Sequence, residues 1–331
     1  MLATVRMPLA RNIAIALLLL SLLKDSTFAQ TPSQLPTCTI LANVRDRHGA
    51  FVQNLPLSAF RAKYQGKPLA IHSTVIDPDK NRIVLLLDVS GSIALSKHTW
   101  EMERMVAEDF LRNAARPGRT AMVLFASDVV ATMDFSHSPT EMVQTLDRFS
   151  DANKLAPKGH HTTALLDAVL YGINILGNAE PGDVVYAITD GGDNHSRHTQ
   201  HDMEEGLLKN GVRFFSFYLT DSNFGTEEQR VGPRFLRDLS ILTGGATLDI
   251  PDSNGSILYD RSAKGKAQIA AGLAYLYDLM GHYYELRLDQ LPESGKKNLE
   301  LDLLDSAGRK SKDLTVMYPQ RLSSCFTEGA K

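Results

Sequence analysis

Cysteine is scarce: Cys38 and Cys325 are the only two in 331 residues, so the chain can form one disulfide at most. Positive charge is not in excess either. Thirty-five Lys and Arg face 38 Asp and Glu, and a formal charge of −3 leaves no basic footprint for nucleic acid. There is no internal repeat and no low-complexity segment. No serine sits in a Gly-x-Ser-x-Gly frame, and Asp, His and Ser stand in no recognisable triad order, so a serine hydrolase is not indicated. The longest apolar run, Ile13 to Leu23, falls short of the about 20 residues that cross a bilayer.

That run has another use. Arg6 and Arg11 precede it, and Thr27-Phe28-Ala29 follows with small residues. The pattern is a secretory signal peptide over residues 1–29, cleaved after Ala29, for a secreted or periplasmic protein with no membrane span in the mature chain. Cleavage removes three cations and one anion, a net +2, and takes the charge from −3 to about −5. No cysteine follows the cleavage point, so a lipid anchor on an N-terminal Cys is not indicated. In an exported chain Cys38 and Cys325 can pair and tie the two ends together, and chain-entropy estimates for so long a loop are about 4–5 kcal/mol. The alternative is two thiols, because spacing alone does not settle geometry.

The most informative stretch is Ile83-Val84-Leu85-Leu86-Leu87-Asp88-Val89-Ser90-Gly91-Ser92. A segment apolar at every position reads as a central parallel strand buried on both faces. Asp88, Ser90 and Ser92 then fall at its carboxyl end, where open α/β sheets bind ligands. All three offer oxygen donors, and Gly91 lets the backbone turn between them. Hard oxygens this close suit a hard cation such as Mg²⁺.

These residues resemble the metal-ion-dependent adhesion site of von Willebrand factor A domains, and two further loops extend the resemblance. Gly159-His160-His161-Thr162-Thr163-Ala164-Leu165-Leu166-Asp167-Ala168 resembles the family's threonine loop, with Thr163 in the threonine position. The inserted His-His-Thr keeps Thr162 as a substitute. Tyr186-Ala187-Ile188-Thr189-Asp190-Gly191 resembles the family's Thr-Asp-Gly segment, with Asp190 as ligand. The resemblance implies a site of Asp88, Ser90, Ser92, Thr163 and Asp190 holding Mg²⁺, or Mn²⁺ or Ca²⁺. It also implies a partner protein whose Asp or Glu completes the coordination, and hence recognition without turnover. Asp46, Gly49, Val52, Leu55, Phe60, Gly66 and Lys67 resemble the leader of bacterial secreted proteins termed VWFA-related. The implied organisation is an N-terminal β segment over 30–80, an A domain over 81–281, and a β segment over 282–325 that pairs with 38–75.

The rest of the pattern predicts an α/β fold. A doubly wound, Rossmann-like, mostly parallel six-stranded sheet is flanked by helices, with a small antiparallel β-sandwich from the two end segments. Strands are expected at Thr120–Ala126, Val129–Phe135 (an antiparallel edge), Asp183–Thr189, Val212–Leu219 and Ala246–Ile250. Helices are expected at Ser96–Ala115, from Ser138, and at Thr163–Leu176, Phe235–Leu242 and Ala267–Met280. The first helix shows a stripe of Met102, Met105, Val106 and Phe110.

Histidines crowd the same loops. His160 and His161 precede Thr163, and His195, His198 and His201 follow Asp190 at intervals of three. They read as a solvated rim, or as a second transition-metal site, although no carboxylate in the pattern fixes their tautomers. Two other functions stay open: a structural or assembly module with a purely stabilising metal, and a metal-dependent hydrolase using His160, His161 or His195.

Overall fold

The computed structural model describes residues 38–75, 80–94, 97–148, 162–219, 227–249, 262–288 and 299–321. The first 37 residues, His160, His161 and Cys325 lie outside these. The chain runs through β1 (Cys38–Asp46), β2 (Phe60–Tyr64), β3 (Lys67–Leu69) and β4 (Ile71–Val75), then begins to alternate. There follow β5 (Ile83–Asp88), α1 (Lys97–Asn113), β6 (Thr120–Phe125), β7 (Val129–Met133), α2 (Pro139–Arg148) and α3 (Leu165–Leu176). Next come β8 (Val184–Thr189), α4 (Gln200–Asn210), β9 (Arg213–Tyr218), α5 (Glu227–Thr243), β10 (Thr247–Leu248) and α6 (Ala263–Gly281). Three strands close the described chain: β11 (Tyr284–Leu288), β12 (Leu299–Leu303) and β13 (Leu314–Met317).

Four segments apolar at most positions became central strands, although β9 carries a buried arginine and serine, Arg213 and Ser216. Every residue of β5, β6, β8 and β9 is buried. They lie parallel in a six-stranded sheet of order β10-β9-β8-β5-β6-β7, and only the edge strand β7 runs antiparallel. Alternate side chains feed two helical layers. Leu85, Leu87, Met122, Leu124, Tyr186 and Ile188 pack against α1, α2 and α6, while Val84, Leu86, Val123, Val185 and Ala187 pack against α3, α4 and α5. The fold is thus a doubly wound, mostly parallel α/β sheet.

Strand order reverses beside β5: the chain steps out to β6 and β7, then returns across β5 to β8. The carboxyl ends of β5 and β8 therefore flank the switch point, where such sheets open a crevice.

Two antiparallel sheets accompany the main one, β13-β1-β11-β4 and β12-β2-β3. Leu286 and Ile40 face each other across β11 and β1, and share a core with Phe60, Leu299 and Leu301. Gln65 and Gly66 both adopt positive φ, 55° and 77°, in the two-residue turn that lets β2 return as β3. A polar seam joins these strands to the α/β core: Asn43 Nδ2 donates to the His282 carbonyl, and the buried Arg45 ion-pairs with Asp278 at the end of α6.

Several element boundaries differ from expectation. The fifth helix begins at Glu227, eight residues before Phe235, and holds Pro233 inside it. Gly232-Pro233 reads locally as a break, yet the helix continues through it, with Gly232 buried against the loop after β8. The last strand of the sheet is two residues, not five. The buried stripe of α1 is Trp100, Glu103, Val106, Ala107 and Phe110, and Met105 faces outward at 38% exposure. Helix α4 was not foreseen, although Thr199 and Asp202 form a reciprocal capping box at its start.

Candidate metal centre

Asp88 is the last residue of β5, and Thr189 the last of the neighbouring β8. Parallel pairing of Leu87 with Ile188 brings the two strand ends level. The Asp88 carboxylate is fully buried, and two neutral donors orient it. The Ser90 amide donates to Oδ1 at 3.0 Å, and the Thr189 hydroxyl donates to Oδ2 at 2.7 Å. Ser90 and Ser92 sit just beyond, their hydroxyl oxygens 3.1 Å apart. Thr189 Oγ1 also accepts from the Gly191 amide at 3.0 Å, and Asp190 Oδ1 accepts from the Gly192 amide at 3.1 Å. Burial, reinforced by the charge of Asp190, pushes the Asp88 carboxyl well above the usual carboxylate range.

The threonine loop is stitched to the loop after β8. The Thr163 amide donates to Asn194 Oδ1 at 2.9 Å, and the Asn194 and His195 amides donate back to the Thr163 carbonyl, each at 3.0 Å. The Ala164 amide bonds the Ala126 carbonyl at 2.8 Å, anchoring the same loop to the end of β6. Thr163 is buried, while Thr162 is half-buried. Asp193 and Ser196, neither singled out from sequence, cap α3: Asp193 Oδ2 accepts from the Leu166 amide at 2.9 Å and from the Ser196 hydroxyl at 2.6 Å. A carboxylate on the first turn of a helix satisfies exposed amides and suits the dipole.

Two glycines set how closely the next helix approaches. A Cβ on Gly232 of α5 would lie 2.7 Å from the Asp190 carbonyl oxygen, and one on Gly191, whose φ is +76°, would lie 2.9 Å from the Gly232 Cα. Backbone therefore touches backbone directly behind Asp190.

The histidines separate. His198 Nδ1 pairs with Asp167 Oδ1 at 2.7 Å, so a carboxylate does fix its tautomer. Burial raises the Asp167 carboxyl, but the Arg197 and His198 amides and the His198 ring together hold it below the ordinary carboxylate range. His201 lies on α4 and pairs with Glu205 at 3.4 Å. His195 contributes its main-chain amide to Thr163. Among the described residues no three or more His, Cys, Asp or Glu side chains gather to hold a metal ion. A cation at the β5–β8 end would thus need hydroxyl or main-chain oxygens beside the two aspartates.

Glu103 was missed by the sequence reading. It projects from α1 into the core, fully buried, and only the Asp88 main chain offers its carboxyl a hydrogen bond, one too poorly formed to meet ordinary geometry. Burial, then Asp88 and more weakly Asp190, push its carboxyl well above the ordinary range. A glutamate three residues after Trp100 and seven before Phe110, on the helix face that packs inward, was the available signal.

No family model and no curated protein matches the chain. Solved structures similar to it include an aerotolerance-related membrane protein from Bacteroides fragilis, at 15% identity and a TM-score of 0.40, covering 58% of this chain and 98% of that one. Another is proximal thread matrix protein 1 from the mussel byssus, at 14% identity and a TM-score of 0.41, covering 62% of this chain and 49% of that one. Likeness at that level says nothing of function, and the fold class rests on the strand order and burial described above.

Proposed function

We propose that the chain is an exported, divalent-cation-dependent protein-binding module of the von Willebrand factor A kind, with its A domain over residues 81–281. Asp88, Ser90, Ser92, Thr163 and Asp190 would hold Mg²⁺, or Mn²⁺ or Ca²⁺ in its place. When bound, the cation supplies a Lewis-acidic position for one carboxylate oxygen of an Asp or Glu on a protein partner. The rest is done by the chain itself: Thr189 and the Ser90 amide aim Asp88, the Gly192 amide aims Asp190, and Asn194 holds the Thr163 loop beside them.

One observation carries this reading. Two aspartates are buried within electrostatic reach of each other at the switch point, and the hydrogen-bond donors to Asp88 are neutral. Desolvating a carboxylate costs several kcal/mol unless a cation offsets it. The adjacent serine hydroxyls are donors of the kind a hard cation accepts. Export is supported by the Arg6, Arg11 and Ile13 to Leu23 pattern. A Cys38–Cys325 bridge belongs to the same proposal: Cys38 is buried where β1 begins, and Cys325 lies outside the described residues.

A second reading has one observation in its favour. Asp88 and Ser90 are 0% exposed, Thr163 4% and Asp190 5%, as suits an ion that only stabilises the loops. Isothermal titration with Mn²⁺ and a pull-down from the native envelope, each with wild type and Asp88→Ala, separate the two. Recognition predicts that Asp88→Ala and EDTA both abolish a Mg²⁺-dependent interaction while the melting temperature falls by only a few degrees. A large fall in melting temperature with the interaction intact identifies a stabilising ion. No Mn²⁺ binding by wild type overturns both.

A further inference from the structure

A cavity of about 410 Å³ lies between the β6–β7 hairpin, the first two turns of α3 and the loop after β8. That is towards the lower end of the range for pockets that bury a ligand. Its floor is apolar: Phe125, Val129, Ala168, Leu170 and Tyr171. Val129 is a large apolar side chain left 38% exposed at the edge. Ala164 lines the cavity too, and its amide holds the Ala126 carbonyl, so the cavity begins one residue from Thr163. The mouth is polar. Arg197 reaches between two carboxylates there, with Nη2 3.4 Å from Asp128 Oδ1 and Nε 3.8 Å from Asp167 Oδ2. Its side chain is 82% exposed, so these ion pairs hold it weakly and it is free to swing. Asp167 is held in place by the Arg197 and His198 amides and by the His198 ring.

We propose that this cavity is a subsite for one aromatic side chain of a protein partner. The proposal deepens the recognition reading above and rests on it for the partner being a protein. Each class of side chain can be weighed by what it would meet. An acidic one meets Asp128 and Asp167, which repel it. A basic one must share those carboxylates with Arg197 or expel it. An aliphatic one covers the floor and gains nothing at the mouth. A ring covers the floor and turns a π face to the Arg197 guanidinium, which needs only to fold over it. Position joins the subsite to the cation site. Thr163 and Ala164 are consecutive, about 3.8 Å apart at Cα, and an extended partner advances about 3.3 Å per residue. A segment anchored by Asp or Glu at the cation therefore passes the cavity within a few residues. This second anchor gives the site a choice among partners that a lone carboxylate does not provide.

The test uses the full chain with isotope-labelled Leu and Val methyl groups, followed by NMR. The probes are N-acetyl-tryptophanamide, N-acetyl-leucinamide and N-acetyl-lysinamide. The tryptophan amide should shift the Val129 and Leu170 methyl resonances saturably, in Mg²⁺ and in EDTA alike. The leucine amide should bind about fivefold more weakly, having less area to bury and no ring for the guanidinium. The lysine amide should leave both methyls in place. Arg197→Gln should weaken the tryptophan amide about threefold, the size of an exposed cation–π contact. Ala168→Leu fills the floor and should abolish the shifts. Where that variant folds poorly, Val129→Asp, a change at the exposed rim, should weaken binding about fivefold. No shift from any amide, in protein that binds Mn²⁺, would overturn the subsite and leave the cation reading standing. Equal binding of the tryptophan and leucine amides, or of the tryptophan amide by wild type and Arg197→Gln, would overturn the aromatic class. A lysine amide that shifts the methyls, and does so more strongly in Arg197→Gln, identifies a basic occupant and overturns it too. Saturable tryptophan amide binding by protein that takes up no Mn²⁺ would sustain the subsite and sink the cation reading alone.

Discussion

Thr189 shows how much one hydroxyl does in this chain. It donates to Asp88 at 2.7 Å and accepts from the Gly191 amide at 3.0 Å, so it links the ends of β5 and β8 and sets the start of the loop that carries Asp190. Replacing it with valine keeps the branched shape in a fully buried position and strands both partners. We expect a loss of about 1–2 kcal/mol by urea denaturation, from unmet buried hydrogen bonds, and a several-fold drop in Mn²⁺ affinity by titration. An unaltered affinity would mean that Asp88 needs no orienting partner. At this scale the sequence was informative about residue type and poor about partners. Asp88, Ser90, Ser92 and Asp190 stand out because polar residues follow apolar runs. Thr189 does not, because its role depends on what another segment brings beside it. Asp167 is the same case: nothing in its local pattern announced that it would accept from the amides of Arg197 and His198, some 30 residues on.

Among the elements, α5 is the one most shaped by its neighbour. The Gly232 backbone reaches the Asp190 carbonyl, and only a residue without a Cβ fits. Gly232→Ala should therefore push the helix away from the Asp190 loop, costing about 1–3 kcal/mol through overpacking and weakening Mn²⁺ binding. Gly66→Ala, at a turn with nothing within 4 Å, is the control that strains a backbone without touching the site. Thermal unfolding and Mn²⁺ titration of both variants check this, and equal metal affinities would sink it. Arg213 shows the same dependence on context. It lies in β9 with its guanidinium buried over the Tyr283 ring, and Nη2 donates to the Met280 carbonyl at 2.7 Å, at the end of α6. Burial pulls its pKa down to about 10, so it remains charged at neutral pH and complements the negative end of that helix. In sequence it is merely a charge at the start of an aromatic strand. The strands β5, β6 and β8 were legible because burial on both faces writes a nearly continuous apolar run, and β9 was legible from its aromatics despite Arg213 and Ser216. Helix α4 was not, because only Met203 and Leu207 are buried along it, too few to write an apolar stripe.

For the whole molecule, the antiparallel sheets offer a test of stability against pH. Asp302 of β12 accepts from Lys310 and from Arg61 of β2, each at 2.8 Å. The Lys310 bond first, then Arg61, hold its carboxyl below the ordinary value. A carboxyl depressed in the folded state favours folding above its unfolded value, near 4, and that contribution disappears as pH falls through the folded value. Asp302→Asn should cost about 0.5–1 kcal/mol at pH 7, the size of a partly exposed ion pair. The gap to wild type should close as pH drops below about 4. Urea titrations at pH 7, 4 and 3 measure it, and a gap constant across them would show that Asp302 contributes by shape alone.

The order and period of apolar residues, read alone, determined the class of fold, because a strand covered on both faces is apolar at most positions and helices must follow to cover it. The same pattern located the polar residues at strand ends, since a chain leaving a buried sheet must change composition there. Three-dimensional packing decided the remainder. It buried Glu103 in the core, set Gly232 against Asp190, fastened Asn194 to Thr163, and aligned β1 with β11 from opposite ends of the chain. Those relations are carried by contacts between residues far apart in sequence, and local propensity holds no record of them.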